Sequence, residues 1–211
     1  MYIPEHFRVR DHATAVSFVR ANPFAILISS TEEGPFATHL PLAIQEREEK
    51  VILRGHVAKA NPHWRYLQQE PRALTIFHGP HAYVSPANYA TRENVPTWNY
   101  GAVHVYGEAR VFSDAGELLA VLHELIPMFE PAYAEQFASL NEGYRERMLS
   151  HIVGFEITVT QIEAKFKLSQ NRTKEEQAKV IESLSAASDT TVSGTAGLMN
   201  EQGLGKKSGK N

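Results

Sequence analysis

The sequence predicts a mainly β protein with helical insertions (α+β), built as a small β-barrel, and three observations carry that expectation. Seven short β-like runs are separated by turn signals, and only three or four stretches have helical spacing. Strict βα alternation is missing, and no glycine-rich strand–turn–helix fingerprint occurs, which argues against a doubly wound nucleotide fold.

The elements follow in order. A first helix is expected from about Asp11, whose carboxylate suits a cap, to Ala21, where Asn22-Pro23 stops it. The β-like runs are Phe24–Ser30, Phe36–Ile44, Val51–His56, Ala73–His78, His81–Ser85, Tyr100–Phe112 and Ile152–Ile162. Residues 31–35 read as a hairpin loop, and 46–50 as a charged one. Asn61-Pro62 fits an N-cap followed by proline at the first helical position, opening a helix to Gln69. Asp114-Ala115-Gly116-Glu117 has capping-box spacing and opens an amphipathic helix carrying Leu118, Leu122 and Leu125, to be ended or kinked at Pro127. Another helical piece is expected over about 141–150, and one more over Lys174–Leu184. From Ser183 onward the chain is rich in Ser, Thr and Gly and reads as a flexible end without a core of its own.

Composition narrows the function. With 211 residues, 43% hydrophobic and 21% charged, the chain is globular and long enough to bury a core without staples. It has no cysteine, which excludes disulfides, thiolate metal sites and cysteine nucleophiles. The longest apolar run, Phe24–Ile28, is far short of a membrane span, and the first seven residues lack a signal-peptide pattern, so a cytoplasmic protein is expected. Net charge is −3, and residues 113–151 alone sum to −5. The most helical stretch is thus the most acidic, the wrong sign for a helix that must approach phosphates.

Four features bear on chemistry. Ten histidines include His56 and His63 around one loop, His78 and His81 about Gly79-Pro80, and His39 and His104 in strands. No acidic ligand sits at a diagnostic spacing and there is no HExxH, so they read as hydrogen-bonding groups and no metal site is expected. Next, residues 54–64 carry Lys59, Asn61 and two histidines from a strand into a helix start; this suits a phosphate as well as it suits an ordinary capped loop. In residues 95–100, Trp98 and Tyr100 flank Asn99, a set that suits a planar heteroaromatic ligand or a tryptophan packed in the barrel mouth. Last, residues 165–172 place four polar residues after the final strand, with three cations nearby, as donors for an anionic or carbonyl-rich ligand or as a solvated loop. No catalytic triad order or carboxylate pair stands out, so catalytic residues are left unassigned.

Five ordered motifs together resemble one family: Met1-Tyr2-Ile3-Pro4; Ala37-Thr38-His39-Leu40-Pro41-Leu42; Gly55-His56-Val57-Ala58-Lys59-Ala60-Asn61-Pro62; Pro96-Thr97-Trp98-Asn99-Tyr100 with Val103-His104-Val105-Tyr106-Gly107; and residues 165–172. They are similar to the PaiB family of FMN-binding split-barrel proteins, described as negative transcriptional regulators of protease synthesis and sporulation, over about residues 1–185. The resemblance implies an FMN-binding split β-barrel over residues 1–172 with a helical insertion at about 114–150, followed by a C-terminal helix and flexible tail over 173–211. It also implies a homodimer with flavin at the subunit interface. In such a site Thr38, His39 and Leu40 would lie along the isoalloxazine, and His56, Lys59, Asn61 and His63 would face the ribityl chain and phosphate. Trp98 and Asn99 would come from the partner subunit, while Lys167 and Gln170 would close the site. The family's regulator role implies DNA as a partner, which the charge does not support. The alternative is a flavin-dependent oxidoreductase acting on a small substrate or haem, since flavin brings redox chemistry that needs only orientation from the protein.

Overall fold

Strand alternation and capped helix starts account for most of the architecture. The structure, a computed structural model, describes residues 1–48 and 50–206. Its elements are β1 (Arg8–Val9), α1 (His12–Ala21), β2 (Phe24–Thr31), β3 (Gly34–Pro41), β4 (Ala43–Arg47), β5 (Lys50–Ala58), α2 (His63–Gln69), β6 (Arg72–Val84), β7 (Thr97–Phe112), α3 (Ala115–Phe129), α4 (Tyr133–Ser139), α5 (Glu142–Leu149), β8 (Ile152–Lys167), α6 (Lys174–Ser185) and α7 (Thr190–Glu201). Short 3₁₀ turns cover Glu5–Phe7 and Pro86–Asn88.

The chain forms two compact units, and β6, β7 and β8 contribute residues to both. The unit of residues 16–77 and 104–162 holds the sheet, in the order β3-β2-β6-β7-β8-β5-β4. Its β2–β3, β2–β6, β4–β5 and β5–β8 pairings are antiparallel, and β2 meets β6 with Ala25 opposite Phe77 and Ser29 opposite Ala73. Alternate residues point inward, so Leu27, Leu53, Phe155 and Ile157 are fully buried. Gly55 is required on β5: a Cβ there would sit 2.4 Å from Leu42 Cδ2 and 3.4 Å from the Phe155 ring. The helical insertion adds its own core of Leu118, Val121, Leu125 and Leu149 against Ala43 and Phe112.

Two acids of the insertion, Glu117 and Glu124, meet arginines of the sheet. Glu124 on α3 pairs with the buried Arg54 of β5 and with Arg47 at 3.3 Å. Arg110 on β7 bonds Glu117 at 2.6 Å and Glu156 at 2.9 Å, which holds its guanidinium more firmly protonated than usual. Glu117 and Glu124 thus tie α3 to the sheet.

The unit of residues 1–15, 78–103 and 163–211 contains the far ends of the long strands, with β1 paired to β8 through Arg8–Lys165 and Val9–Ala164. Its helices α6 and α7 pack together; α6 opens with a full capping box between Thr173 and Glu176.

Several elements differ from the sequence expectation. The run 36–44 is broken at Leu42 into β3 and β4. The runs on either side of Gly79-Pro80 are one strand, β6: its ladder to β2 ends at Phe77, so Pro80 lies beyond that pairing. β8 continues to Lys167, five residues past the expected end. α3 passes through Pro127 to Phe129, because a proline in the last turn removes only one bond. At its start only half of the capping box forms: Asp114 Oδ1 accepts from Glu117 N at 3.0 Å, while the Glu117 carboxylate serves Arg110. The Ser/Thr/Gly-rich stretch forms α7, started by Asp189 and burying Thr195, Ala196, Leu198 and Met199. Its small residues serve close packing, since a Cβ on Gly194 would lie 3.2 Å from Pro80 Cβ. Residues 207–211 of the tail lie outside the described residues.

Candidate functional site

The loop after β5 is held by its own side chains. Lys59 N donates to His151 O at 2.8 Å, Asn61 N to Ala58 O at 2.8 Å, and Trp64 Nε1 to Lys59 O at 3.1 Å. Asn61 Oδ1 accepts from His63 N at 3.0 Å, but from one position before the expected cap: the helix begins at His63 and its N-cap is Pro62. The Asn61 amide nitrogen donates to Thr38 Oγ1 at 3.1 Å on β3. His63 then joins three elements: Nδ1 lies 2.7 Å from Thr38 Oγ1 and Nε2 lies 3.0 Å from Ser29 Oγ on β2. Whichever ring nitrogen carries the proton, both are bonded. The ring is wholly buried, packs edge-on to Phe36, and its pKa is pushed down to about 4 because burial penalises the imidazolium.

Two groups of this loop remain unspent. His56 Nδ1 is buried with no hydrogen-bond partner among the described residues, and burial lowers the ring's pKa, keeping it neutral. The Lys59 side chain is exposed, and its ammonium makes no hydrogen bond or ion pair among the described residues. α2 adds little for an anion: it has only seven residues, and its first N–H is already taken by Asn61. On β3, the last strand of the sheet, Leu40 is buried, Thr38 faces inward, and His39 is exposed with its ring 6.3 Å from Phe24.

The other predicted residues belong to the other unit. Trp98 is 47% exposed and stacks on His81 with ring centroids 5.7 Å apart, beside the exposed Tyr83. Lys167 Nζ donates to Trp98 O at 2.7 Å and to Thr97 Oγ1, fixing the backbone under the indole. Burial first, then Lys165 and Arg172, lower its pKa. Asn99 is fully buried; its amide exchanges hydrogen bonds with Ser169 Oγ at 3.0 and 3.2 Å and reaches Met199 Sδ at 3.6 Å. Gln170 spends both ends on its own loop, accepting from Leu168 N at 2.7 Å and donating to Phe166 O at 2.5 Å.

Of the predicted set, Thr38, Asn61 and His63 are thus drawn into one network, as are Trp98 and Lys167, while His56, Lys59 and His39 keep groups facing outward or unspent. Ser29 sits at a strand position outside every motif, whereas Ser169 belongs to the polar run 165–172 and only the structure shows its partner, Asn99. The sequence reads His81 as the first residue of a β-like run and as a hydrogen-bonding group beside Gly79-Pro80, yet its Nδ1 is buried without a partner among the described residues, beneath Trp98. The signal for it was the pairing of His78 and His81, whose rings are 5.0 Å apart.

This architecture, a mainly antiparallel barrel sheet with helical insertions and donors grouped on two short loops, defines the flavin-binding split-barrel class. Residues 1–161 match the family described as "Putative FMN-binding domain". The chain is 37% identical to the protease synthase and sporulation protein PAI 2 of Bacillus subtilis (strain 168), over 96% of this chain and 98% of that protein. The chain therefore belongs to the PaiB family of FMN-binding split-barrel proteins. Two solved structures share the fold: the flavocytochrome Anf3 from Azotobacter vinelandii (TM-score 0.61, 15% identity, covering 79% of this chain and 72% of that one), and the FAD and heme binding protein from Mycobacterium smegmatis (TM-score 0.56, 15% identity, 75% and 72%). The residues present fit FMN in kind: an unpaired ammonium and an unspent buried imidazole nitrogen suit a phosphate-bearing chain, and an exposed indole suits a planar ring.

Proposed function

We propose that this chain acts as a homodimer that holds FMN through the loop after β5, with Lys59 on the phosphate and His56 on the ribityl chain, and that it serves as a negative transcriptional regulator of the PaiB type. One observation carries the binding role: the loop is rigidly tied by Asn61, Thr38 and His63, yet its Lys59 ammonium is unpaired among the described residues and the adjacent His56 Nδ1 is unsatisfied. A preorganised loop with an unspent cation gains a charge-assisted bond to a dianionic phosphate at little ordering cost. In this reading Thr38, Asn61 and His63 are positioning residues, and Leu40 supplies an apolar wall. His39 lies at the exposed rim, Trp98 and Asn99 come from the partner subunit, with the indole over a ring face, and Lys167 and Gln170 close the site. FMN supplies redox chemistry when bound; the residues named here bind and orient it.

The regulator role rests on the relationship to PAI 2, whose name ties it to protease synthesis and sporulation. The acidic insertion is engaged with arginines of the sheet, so DNA contact through α3 is not part of this reading.

The test is flavin titration by fluorescence quenching. Lys59→Ala should weaken FMN by about tenfold to a hundredfold, the value of one charged hydrogen bond, and leave riboflavin nearly unchanged. Equal weakening of both would reject the phosphate role. Light scattering should give twice the chain mass. Sustained turnover of a reduced nicotinamide by the flavin-loaded protein would favour the oxidoreductase alternative over the regulator.

A further inference from the structure

The helical insertion contains a cavity that the flavin reading does not use. It occupies about 200 Å³ among α3, α4 and α5, and is walled by Leu122, Phe137, Leu140 and Met148, with Tyr133 and Tyr144 at its sides. The wall follows from helical spacing: Tyr133, Phe137 and Leu140 recur along one side of α4, and Tyr144 and Met148 along one side of α5. For comparison, an engineered apolar cavity of ~150 Å³ takes up benzene from water. The volume here therefore accommodates one aromatic ring with a short substituent.

Its one charged lining residue is a cation. Arg145 lines the cavity beside Leu140 and Leu149, and donates one bond, at 3.3 Å, to Ala138 O. Among the described residues its guanidinium has no carboxylate partner, although the segment 113–151 holds seven acids. Glu117 and Glu124 are committed to Arg110, Arg47 and Arg54, and no Asp or Glu lines the cavity. An apolar pocket that keeps an arginine free while carboxylates crowd the same helices is built for an anion brought by the ligand. A cationic ligand would meet Arg145 with no compensating charge in the wall. The surrounding acids act at longer range, where salt screens them, whereas the arginine acts in direct contact.

We propose that the α3–α4–α5 cavity is a binding site for a small aromatic or otherwise compact apolar carboxylate, with the hydrocarbon body among Leu122, Phe137, Leu140 and Met148 and the carboxylate on Arg145. This site stands independently of the FMN reading, because none of its residues belongs to the flavin loops.

Titration calorimetry on the full chain in 0.15 M salt tests it with three probes of nearly equal shape: phenylacetate, its neutral amide phenylacetamide, and the cation 2-phenylethylamine. Phenylacetate should bind once per chain and at least about tenfold more tightly than phenylacetamide, with phenylethylamine weakest. Arg145→Gln should bring phenylacetate down to the affinity of phenylacetamide and leave the latter unchanged. Leu140→Trp, which fills the cavity, should abolish binding of both; Met148→Trp, at a half-exposed position, serves where the first variant does not fold. No binding of phenylacetate at millimolar concentration, equal binding of acid and amide, tighter binding of the amine, or phenylacetate binding indifferent to Arg145→Gln would each overturn the proposal.

Discussion

His63 makes the stability of this protein depend on pH in a way that can be calculated. Its ring is wholly buried and its pKa is pushed down to about 4, against an ordinary value of 6.5. Between those values the unfolded chain takes up a proton that the folded one refuses, so stability rises with pH across this window and is lost as pH falls from 6.5 towards 4. The full shift is worth about 3 kcal/mol, and at pH 5 the loss relative to pH 7.5 is about 2 kcal/mol. His63→Gln keeps hydrogen-bonding capacity towards Thr38 and Ser29 and does not titrate. Urea unfolding of both proteins at pH 7.5 and pH 5 isolates the residue, because His56 and His78, whose pKa values are also lowered by burial, are common to both. The wild type should lose about 2 kcal/mol more than the variant; His63→Met repeats the comparison with an apolar side chain. If wild type and variants lose the same stability on acidification, the buried neutral imidazole is not what joins β2, β3 and α2.

Further outcomes follow from other contacts. Glu124→Ala leaves the Arg54 guanidinium, 5% exposed, with only the Glu156 carboxylate at 3.7 Å among the described residues; a loss of about 3 kcal/mol in urea is expected, largely recovered when Arg54→Met is added. Gly55→Ala drives a methyl to 2.4 Å from Leu42 Cδ2 and should cost about 1–3 kcal/mol by the same assay. Trp98→Ala should barely move the unfolding midpoint, since the indole is 47% exposed, yet weaken both FMN and riboflavin in a quenching titration; unchanged flavin affinity would remove Trp98 from the site.

Much of the architecture was legible in the sequence because its signals are local. β-like runs between turn signals marked the strands, and the Asp114 cap marked the start of α3; Asn141 and Thr173 cap α5 and α6 in the structure. α4 escaped notice for the same reason: its N-cap position, Ala132, has no capping side chain, so nothing announces the helix. α7 was misread because Gly, Ser and Thr look like a linker in sequence, whereas here they let a helix approach Pro80 and bury Thr195 and Met199. The candidate site was legible only as a set of residue types. The Lys59–Asn61–His63 loop could be picked out as a donor cluster, and only the structure shows that Asn61 and His63 are spent within the fold while Lys59 and His56 keep unspent groups among the described residues.

By itself the sequence determined the class: a cysteine-free, mainly β chain whose five ordered motifs belong to the FMN-binding split-barrel family. Which donors are spent and which are free was decided only in three dimensions. His63 meets partners 25 and 34 residues away on two strands, and Asn99 meets Ser169 and Met199 at separations of 70 and 100. A side chain's hydrogen bonds depend on what folding brings beside it, and no local pattern records a neighbour so distant along the chain. The cavity around Arg145 has the same origin: three helices create the apolar wall, and among the described residues no carboxylate pairs with its guanidinium.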